Sequence, residues 1–133
     1  MRVFLDANVL FSAANAESNI ARLVSLVKKS HAAVSSDFAI EEARRNIALK
    51  RPAWQASFDD VIEDLEIVAS TLFRLTVELD EKDQPILCTA IRAKCDLLAT
   101  GDRRHFSHLF DTTVEGVTIV SLLGLAQRVV SSR

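Results

Sequence analysis

The start of the chain constrains the fold more than any other segment. An apolar run at residues 3–5 leads directly into Asp6, and a second apolar run follows Asn8. This pattern predicts a buried strand that ends at a carboxylate. In open α/β sheets, ligands bind in the crevice outside the carboxyl ends of the strands. We therefore expect Asp6 to lie where the protein does its chemistry.

Apolar runs typical of strands alternate with segments of helical periodicity along the rest of the chain. Such alternation predicts a parallel sheet, with right-handed crossovers that cover both faces with helices. Strands are expected at residues 3–5, 32–35, 73–77, 97–100 and 117–120. Helices are expected at residues 17–29, 37–50, 52–70, 83–94 and 122–130. Loops are expected at residues 11–16 and, rich in basic residues, at 103–106.

The composition favours a single globular domain spanning residues 1–133, with 49% hydrophobic and 26% charged residues. No apolar run is long enough for a membrane span, and no signal peptide is recognisable, so a cytoplasmic location is expected. The formal charge of -2 argues against an all-over basic nucleic-acid surface. Cys88 and Cys95 are two helical turns apart, too far for a disulfide, and are expected to be buried thiols.

Four acidic residues are expected at the carboxyl edge of the sheet. Asp6 and Asp102 end apolar strands, Asp83 begins a helix, and Glu42 lies about one and a half turns into another helix. Carboxylates brought together raise each other's pKa, and a divalent cation relieves that repulsion. A set of oxygen ligands suits Mg²⁺ or Mn²⁺, ions that promote the hydrolysis of phosphodiesters.

Structural roles remain open for several of these residues. Asp83 could serve as a helix N-cap, Asp102 as a turn residue, and Glu42 as part of a solvated helix face. His105 and His108, three residues apart, could suit a metal, although exposed loop histidines are the favoured interpretation.

Four motifs carry a resemblance to a known family. They are VFLDANVL at residues 3–10, SDFAIEEARR at 36–45, DEKDQPIL at 80–87 and LLATGDRRHF at 97–106. In order and spacing the chain resembles a PIN domain, the fold of metal-dependent ribonucleases that includes the VapC-type toxins of toxin–antitoxin pairs. The resemblance implies a three-layer α/β/α sandwich with a parallel sheet of about five strands.

The resemblance also implies which residues form the site. Those expected to hold Mg²⁺ or Mn²⁺ are Asp6, Glu42, Asp83 and Asp102, with Glu41 as an alternative to Glu42. Those expected to support them are Asn8 and Thr100. Arg103 and Arg104 directly follow Asp102 and are expected to contact RNA phosphates.

The expected function is a metal-dependent endoribonuclease, the toxin of a toxin–antitoxin pair. The expected partners are an RNA substrate, an antitoxin protein and a second copy of the chain. One alternative is a catalytically silent PIN-fold protein that binds RNA or a partner. The other is a phosphatase of the haloacid dehalogenase type, which would use Asp6 as nucleophile but needs a second aspartate where this chain has Asn8.

Overall fold

A computed structural model gives the fold, and it describes residues 1–131. The strands are β1 (Arg2–Leu5), β2 (Ala32–Ser36), β3 (Glu66–Val68), β4 (Leu97–Ala99), β5 (Thr113–Val114) and β6 (Val117–Val120). The α-helices are α1 (Ala7–Ala13), α2 (Asn19–Ser30), α3 (Asp37–Lys50), α4 (Gln55–Ile62), α5 (Gln84–Arg92), α6 (Arg103–Phe106) and α7 (Leu122–Ser131). Short 3₁₀ turns cover Pro52–Trp54, Glu81–Asp83 and Ser107–Leu109.

The strands form one sheet in the order β3-β2-β1-β4-β6-β5. Five strands run parallel, which confirms the predicted sheet. The short strand β5 pairs antiparallel with β6 and adds an edge that the sequence did not indicate. The strand order places β1 at the centre of the sheet, between β2 and β4.

Helices cover both faces of the sheet, as predicted. Helices α1, α2, α3 and α4 pack against one another, and α7 packs against α2. Helix α5 contacts β2 and β4, and it belongs to the crossover that runs back across the sheet from β3 to β4. Right-handed crossovers in opposite directions lie on opposite faces, so α5 forms the third layer. Within residues 1–131, no helix has the length and apolar character needed to cross a membrane.

Helix α1 begins immediately after β1. The sequence analysis predicted no helix here and assigned residues 11–16 to a loop, which overlaps the end of α1. Val9, Leu10 and Ala13 are buried on one face of the helix. The Asp6 side chain accepts the backbone N–H of Ala7 and so caps the helix. The prediction missed α1 because the helix is only seven residues long and its apolar residues follow the strand after Asp6, so they give no separate helical period.

Helix α4 was predicted to run to residue 70, which is wrong, because it ends at Ile62. Asp64 has a positive φ of 68°, a conformation that a continuing helix does not allow. The residues after it form β3, which pairs with β2 through the register Ser35 to Ile67. The spacing of the apolar residues around this point suits either a helix or a strand. Pairing with β2 selects the strand.

The predicted strand at residues 73–77 is also wrong. Phe73, Leu75 and Val77 are half-buried and their neighbours are exposed, as the alternation indicated. The segment lies along α5 and does not pair with a strand: Cys88 Sγ donates to the carbonyl of Phe73, and the backbone N–H of Thr71 donates to Thr89 Oγ1. The predicted basic loop at residues 103–106 is the short helix α6. Cys88 and Cys95 are free and buried, as predicted.

Candidate active site

Asp6 follows β1 directly and lies beside Thr100, which follows β4. The register that pairs Leu5 with Ala99 brings the two side chains together. The Thr100 hydroxyl donates to Asp6 Oδ2 at 2.8 Å, and the backbone N–H of Ala7 donates to Asp6 Oδ1 at 2.7 Å. Asp6 is only 3% exposed and Thr100 is fully buried. Both oxygens of this carboxylate therefore have fixed donors.

Asn8 ties the two strand ends together. Its Nδ2 donates to Asp6 Oδ2 at 3.2 Å and to Thr100 Oγ1 at 3.3 Å. Its Oδ1 accepts the backbone N–H of Gly101 at 2.7 Å, and a Cβ at position 101 would lie 3.2 Å from that oxygen. With both ends of its amide used in this way, Asn8 has no part in acid–base chemistry. The haloacid dehalogenase alternative requires such a role at this position.

Asp83 closes the 3₁₀ turn before α5. It occupies the expected N-cap position, but its side chain makes no capping hydrogen bond. The turn is instead held by Asp80, whose Oδ1 accepts the backbone N–H of Lys82 at 3.1 Å. Asp83 is 8% exposed. Its carboxylate is therefore buried and not used to stabilise the helix.

His105 lies between two of the acids. Asp102 caps α6 through Oδ1, and His105 Nδ1 is 2.9 Å from both Asp102 Oδ2 and Asp83 Oδ2. A single N–H has one good acceptor, and the hydrogen bond is made to Asp102. Asp83 Oδ2 is buried and has no hydrogen-bond partner anywhere in residues 1–131. A buried carboxylate oxygen without a donor is costly to keep ionised.

Helix α3 contributes Glu42. The helix begins at the cap residue Ser36, whose hydroxyl accepts the backbone N–H of Ala39. Glu42 is half-buried and faces the other acids, whereas Glu41 is exposed. Asn46 and Lys50 follow Glu42 at intervals of four residues, so they lie along the same face of the helix.

These residues surround one pocket of about 380 Å³. It is lined by Asp6, Asn8, Phe11, Glu42, Asn46, Lys50, Lys82, Asp83 and Asp102. All four predicted acids are in this set. Four different parts of the chain thus deliver carboxylates to one edge of the sheet.

The electrostatics of the pocket oppose full ionisation. Burial raises the pKa of Asp6 from 3.8 to about 6, and the charges of Asp83 and Glu42 act in the same direction. Hydrogen bonds from Thr100 and Ala7 partly offset this rise. Burial, followed by repulsion from Asp102, also raises the pKa of Asp83. Proximity thus produces the mutual repulsion among carboxylates that a cation would relieve.

Comparison with known proteins identifies the family. The family model of the PIN domain matches residues 2–104 of the sequence. The chain belongs to the PIN domain family. Its fold is similar to the crystal structure of VapBC2 from Rickettsia felis bound to a DNA fragment from their promoter, with a TM-score of 0.66 and 16% identity over 91% of this chain and 98% of that one. No curated protein matches the sequence.

The side chains of this PIN domain fit a divalent cation of the kind that the resemblance implies. Its four acids offer only oxygen donors, which suit Mg²⁺ or Mn²⁺. Asp83 Oδ2 is buried and accepts no hydrogen bond in the described residues, and burial and repulsion from Asp102 raise the pKa of Asp83 although His105 and Lys82 act against them. A bound cation would lower the raised pKa values of both Asp83 and Asp6.

Sequence reasoning missed the positive side of the PIN pocket. Lys50 and Lys82 line it, whereas Arg103 and Arg104 are exposed at the start of α6 and do not line it. The spacing of Lys50 from Glu42, eight residues along one helix, was the available signal. For Lys82 the signal was its position next to Asp83.

The favoured interpretation of both histidines as exposed loop residues is wrong for His105. Its side chain is 22% exposed and contacts Asp83 and Asp102. His108 is exposed, and its Nε2 lies 2.9 Å from the carbonyl oxygen of Glu78. No sequence signal separates the two, because the packing of α6 against the turn before α5 decides their exposure.

Proposed function

We propose that this protein is a metal-dependent endoribonuclease that hydrolyses RNA phosphodiester bonds. The observation that carries the proposal is the single pocket that Asp6, Glu42, Asp83 and Asp102 share, with one carboxylate oxygen buried and unpartnered. All four acids of the PIN motifs are present, which favours an active enzyme over a silent member of the family.

The four acids would hold one or more Mg²⁺ or Mn²⁺ ions. Such an ion, when bound, polarises the phosphate, lowers the pKa of water and stabilises the leaving oxygen. Thr100 and Asn8 orient Asp6 through the hydrogen bonds to its Oδ2. One carboxylate of the set accepts the proton of the attacking water.

Basic side chains favour a polyanionic substrate. Lys50 and Lys82 line the pocket and carry donors suited to phosphate oxygens. Arg103 and Arg104 are exposed next to Asp102, where they can contact phosphates further along the strand. The pocket of about 380 Å³ has room for a backbone phosphate. Single-stranded or looped RNA is the substrate we propose.

We also propose that the protein is the toxin of a toxin–antitoxin pair and forms a homodimer. The support is the similarity of its fold to VapBC2 and the motifs that resemble VapC-type toxins. Co-expression with a small protein encoded beside it tests the pairing, since a cognate antitoxin would copurify with it and suppress its toxicity.

The nuclease proposal is tested with wild type and Asp6→Asn purified in parallel. Each is incubated with mixed labelled RNA in EDTA, Mg²⁺ or Mn²⁺. We expect cleavage only by wild type and only with a divalent ion. The substitution preserves side-chain size and the acceptor for the N–H of Ala7 but removes the charge, so the fold should persist.

Several outcomes would contradict the proposal. Cleavage that persists in Asp6→Asn would point to a contaminating nuclease or a different site. RNA binding without cleavage in Mn²⁺ would favour the silent binding protein. A wild type that shows neither cleavage nor metal-induced thermal stabilisation would mean that the acids do not form a metal site.

A further inference from the structure

An aromatic side chain lines the acidic pocket beside the carboxylates. Among the described residues that line this pocket, Phe11 alone is aromatic. It follows Asn8 by three residues on α1, so it lies on the same face of the helix, roughly 4.5 Å further along the axis from Asp6. Carboxylates that hold a cation have no use for an aromatic neighbour. The presence of Phe11 in the pocket therefore needs another explanation than the metal.

A second ring holds Phe11 in place. The ring centroids of Phe11 and Trp54 are 5.6 Å apart, and the two ring planes are inclined by 52°. The guanidinium of Arg51 in turn lies over the Trp54 ring, 5.5 Å from its centroid. Both aromatic side chains are half-buried and pack against the core. Phe11 is thus fixed by its packing, while part of its surface remains open to the pocket.

Helix α3 adds an amide and a cation to the same pocket. Helices α1 and α3 pack together, and Asn46 and Lys50 lie one and two turns beyond Glu42 on the pocket face of α3. The Asn46 side chain is half-buried and makes no hydrogen bond to any of residues 1–131. It offers a donor and an acceptor to a ligand, and Lys50 offers a positive charge.

We propose that Phe11 and Asn46 form a subsite for one unpaired nucleobase beside the scissile phosphate, an inference that rests on the proposed nuclease function. Proteins bind unpaired bases by stacking them on aromatic rings and by hydrogen bonds to their edges. Here Phe11 supplies the ring, Asn46 the hydrogen bonds and Lys50 the contact to the adjoining phosphate. Every base can stack, whereas a base inside a duplex cannot reach the ring. The subsite therefore selects single-stranded RNA without selecting a sequence by stacking.

The test compares two ligands of equal charge, bound to the intact chain in the Asp6→Asn background. One is an end-labelled single-stranded oligoribonucleotide, and the other is a ribose-phosphate oligomer of the same length that lacks the bases. Phe11→Leu keeps an apolar side chain but removes the ring. We expect it to weaken RNA binding about 10-fold or more and to leave binding of the baseless oligomer unchanged. Phe11→Tyr should retain the affinity for RNA, and Asn46→Ala should weaken RNA binding alone.

Phe73→Leu is the matched control, since Phe73 is a half-buried phenylalanine outside the pocket, and it should change neither affinity. A Phe11→Leu variant that weakens binding of both ligands equally, or of neither, would overturn the proposal. So would a change in its oligomeric mass on gel filtration, which would assign the ring to a protein contact.

The inference and the proposed function fail in different ways. Phe11→Leu in the otherwise wild-type chain should bind Mn²⁺ with unchanged affinity in calorimetry without RNA. Mn²⁺-dependent cleavage by wild type, without a base-dependent loss of binding in Phe11→Leu, would overturn the base subsite alone. A base-dependent loss in a chain that neither cleaves RNA nor binds Mn²⁺ would overturn the nuclease function instead.

Discussion

The Thr100 hydroxyl donates a 2.8 Å hydrogen bond to Asp6 Oδ2, although the two residues are 94 positions apart in sequence. The same hydroxyl oxygen accepts the backbone N–H of Asp102 at 3.1 Å. Thr100 thus connects the first and last acids of the site through one atom. It is fully buried, so water cannot replace its donor.

Thr100→Val should weaken Mn²⁺ binding while the fold is retained. Valine keeps the volume but removes the donor to Asp6 and the acceptor for Asp102, so we expect about 10-fold weaker affinity and a loss of roughly 1–3 kcal/mol in unfolding free energy. Calorimetric titration and urea unfolding measure the two effects. Thr112→Val, which removes the hydroxyl of an exposed residue outside the pocket that donates to the Leu109 carbonyl, is the control. Unchanged Mn²⁺ affinity in Thr100→Val would show that Asp6 needs no such donor.

The metal-free protein should lose stability as pH rises through the range that Asp6 titrates. Its folded-state pKa of about 6 lies above the ordinary 3.8, so the folded protein binds this proton more tightly than the unfolded chain. The carboxyl is protonated in both states well below the unfolded pKa of 3.8, and the cost of its burial as an anion develops as pH rises through the folded pKa of about 6. That cost is on the order of 3 kcal/mol once both states are ionised.

Urea unfolding in EDTA from pH 4 to 8 measures this loss as the difference between wild type and Asp6→Asn. The unfolding free energy of wild type should fall relative to the variant as pH rises. A constant difference across that range would mean that Asp6 titrates normally.

Asp83→Asn should stabilise the metal-free protein and abolish its stabilisation by metal. The substitution removes a buried charge that is desolvated and repelled by Asp102, which we expect to raise the unfolding free energy in EDTA. Thermal melts with and without Mn²⁺ measure both effects. Glu81→Gln removes an exposed acid from the same turn and should change neither. A destabilised Asp83→Asn in EDTA would imply that the carboxylate has a structural partner.

Glu42→Gln and Glu41→Gln form a matched pair on adjacent residues of α3. Glu42 lines the pocket and Glu41 is exposed, so only the first substitution should weaken Mn²⁺ binding, by roughly 10-fold or more. Titration calorimetry and RNA cleavage rates read out the difference. Equal effects of the two variants would remove Glu42 from the proposed ligand set.

Lys50→Gln with Lys82→Gln should weaken RNA binding uniformly across sequences and reduce its salt dependence. Each lost phosphate contact lowers the slope of log affinity against log salt by roughly 0.7 for single strands. Binding is measured in the Asp6→Asn background, where cleavage cannot interfere. Lys29→Gln removes an exposed lysine from α2, outside the pocket, and should leave the slope unchanged.

Much of the fold and of the candidate site is predictable from the sequence because buried elements have clear apolar patterns. The continuous apolar run before Asp6 indicates a central strand, and the start signal at Ser36 together with Pro52 brackets α3. The acids converge because carboxyl ends of parallel strands meet at one edge. The strand order β2-β1-β4 places β1 beside β4, so Asp6 and Asp102 follow neighbouring strands.

The sequence-based predictions fail where the local hydrophobic pattern does not determine the tertiary contacts. The residues around Leu65 satisfy helical and extended periodicity, and only pairing with β2 selects the strand. The burial of His105 depends on a turn at Asp80–Asp83 that carries no periodic signal. Lys82 is an ordinary surface residue by sequence and reaches the pocket only because that turn holds it beside Asp83.

The central position of β1 has a further consequence. Strand β1 pairs with β2 on one side and with β4 on the other, and the acids come from positions 6, 42, 83 and 102. A chain still being synthesised carries Asp6 long before Asp102 and β4 exist, and a proteolytic fragment that ends before β4 never gains them. The four-acid pocket therefore forms only after β4 and Asp102 have been synthesised and β4 has paired with β1.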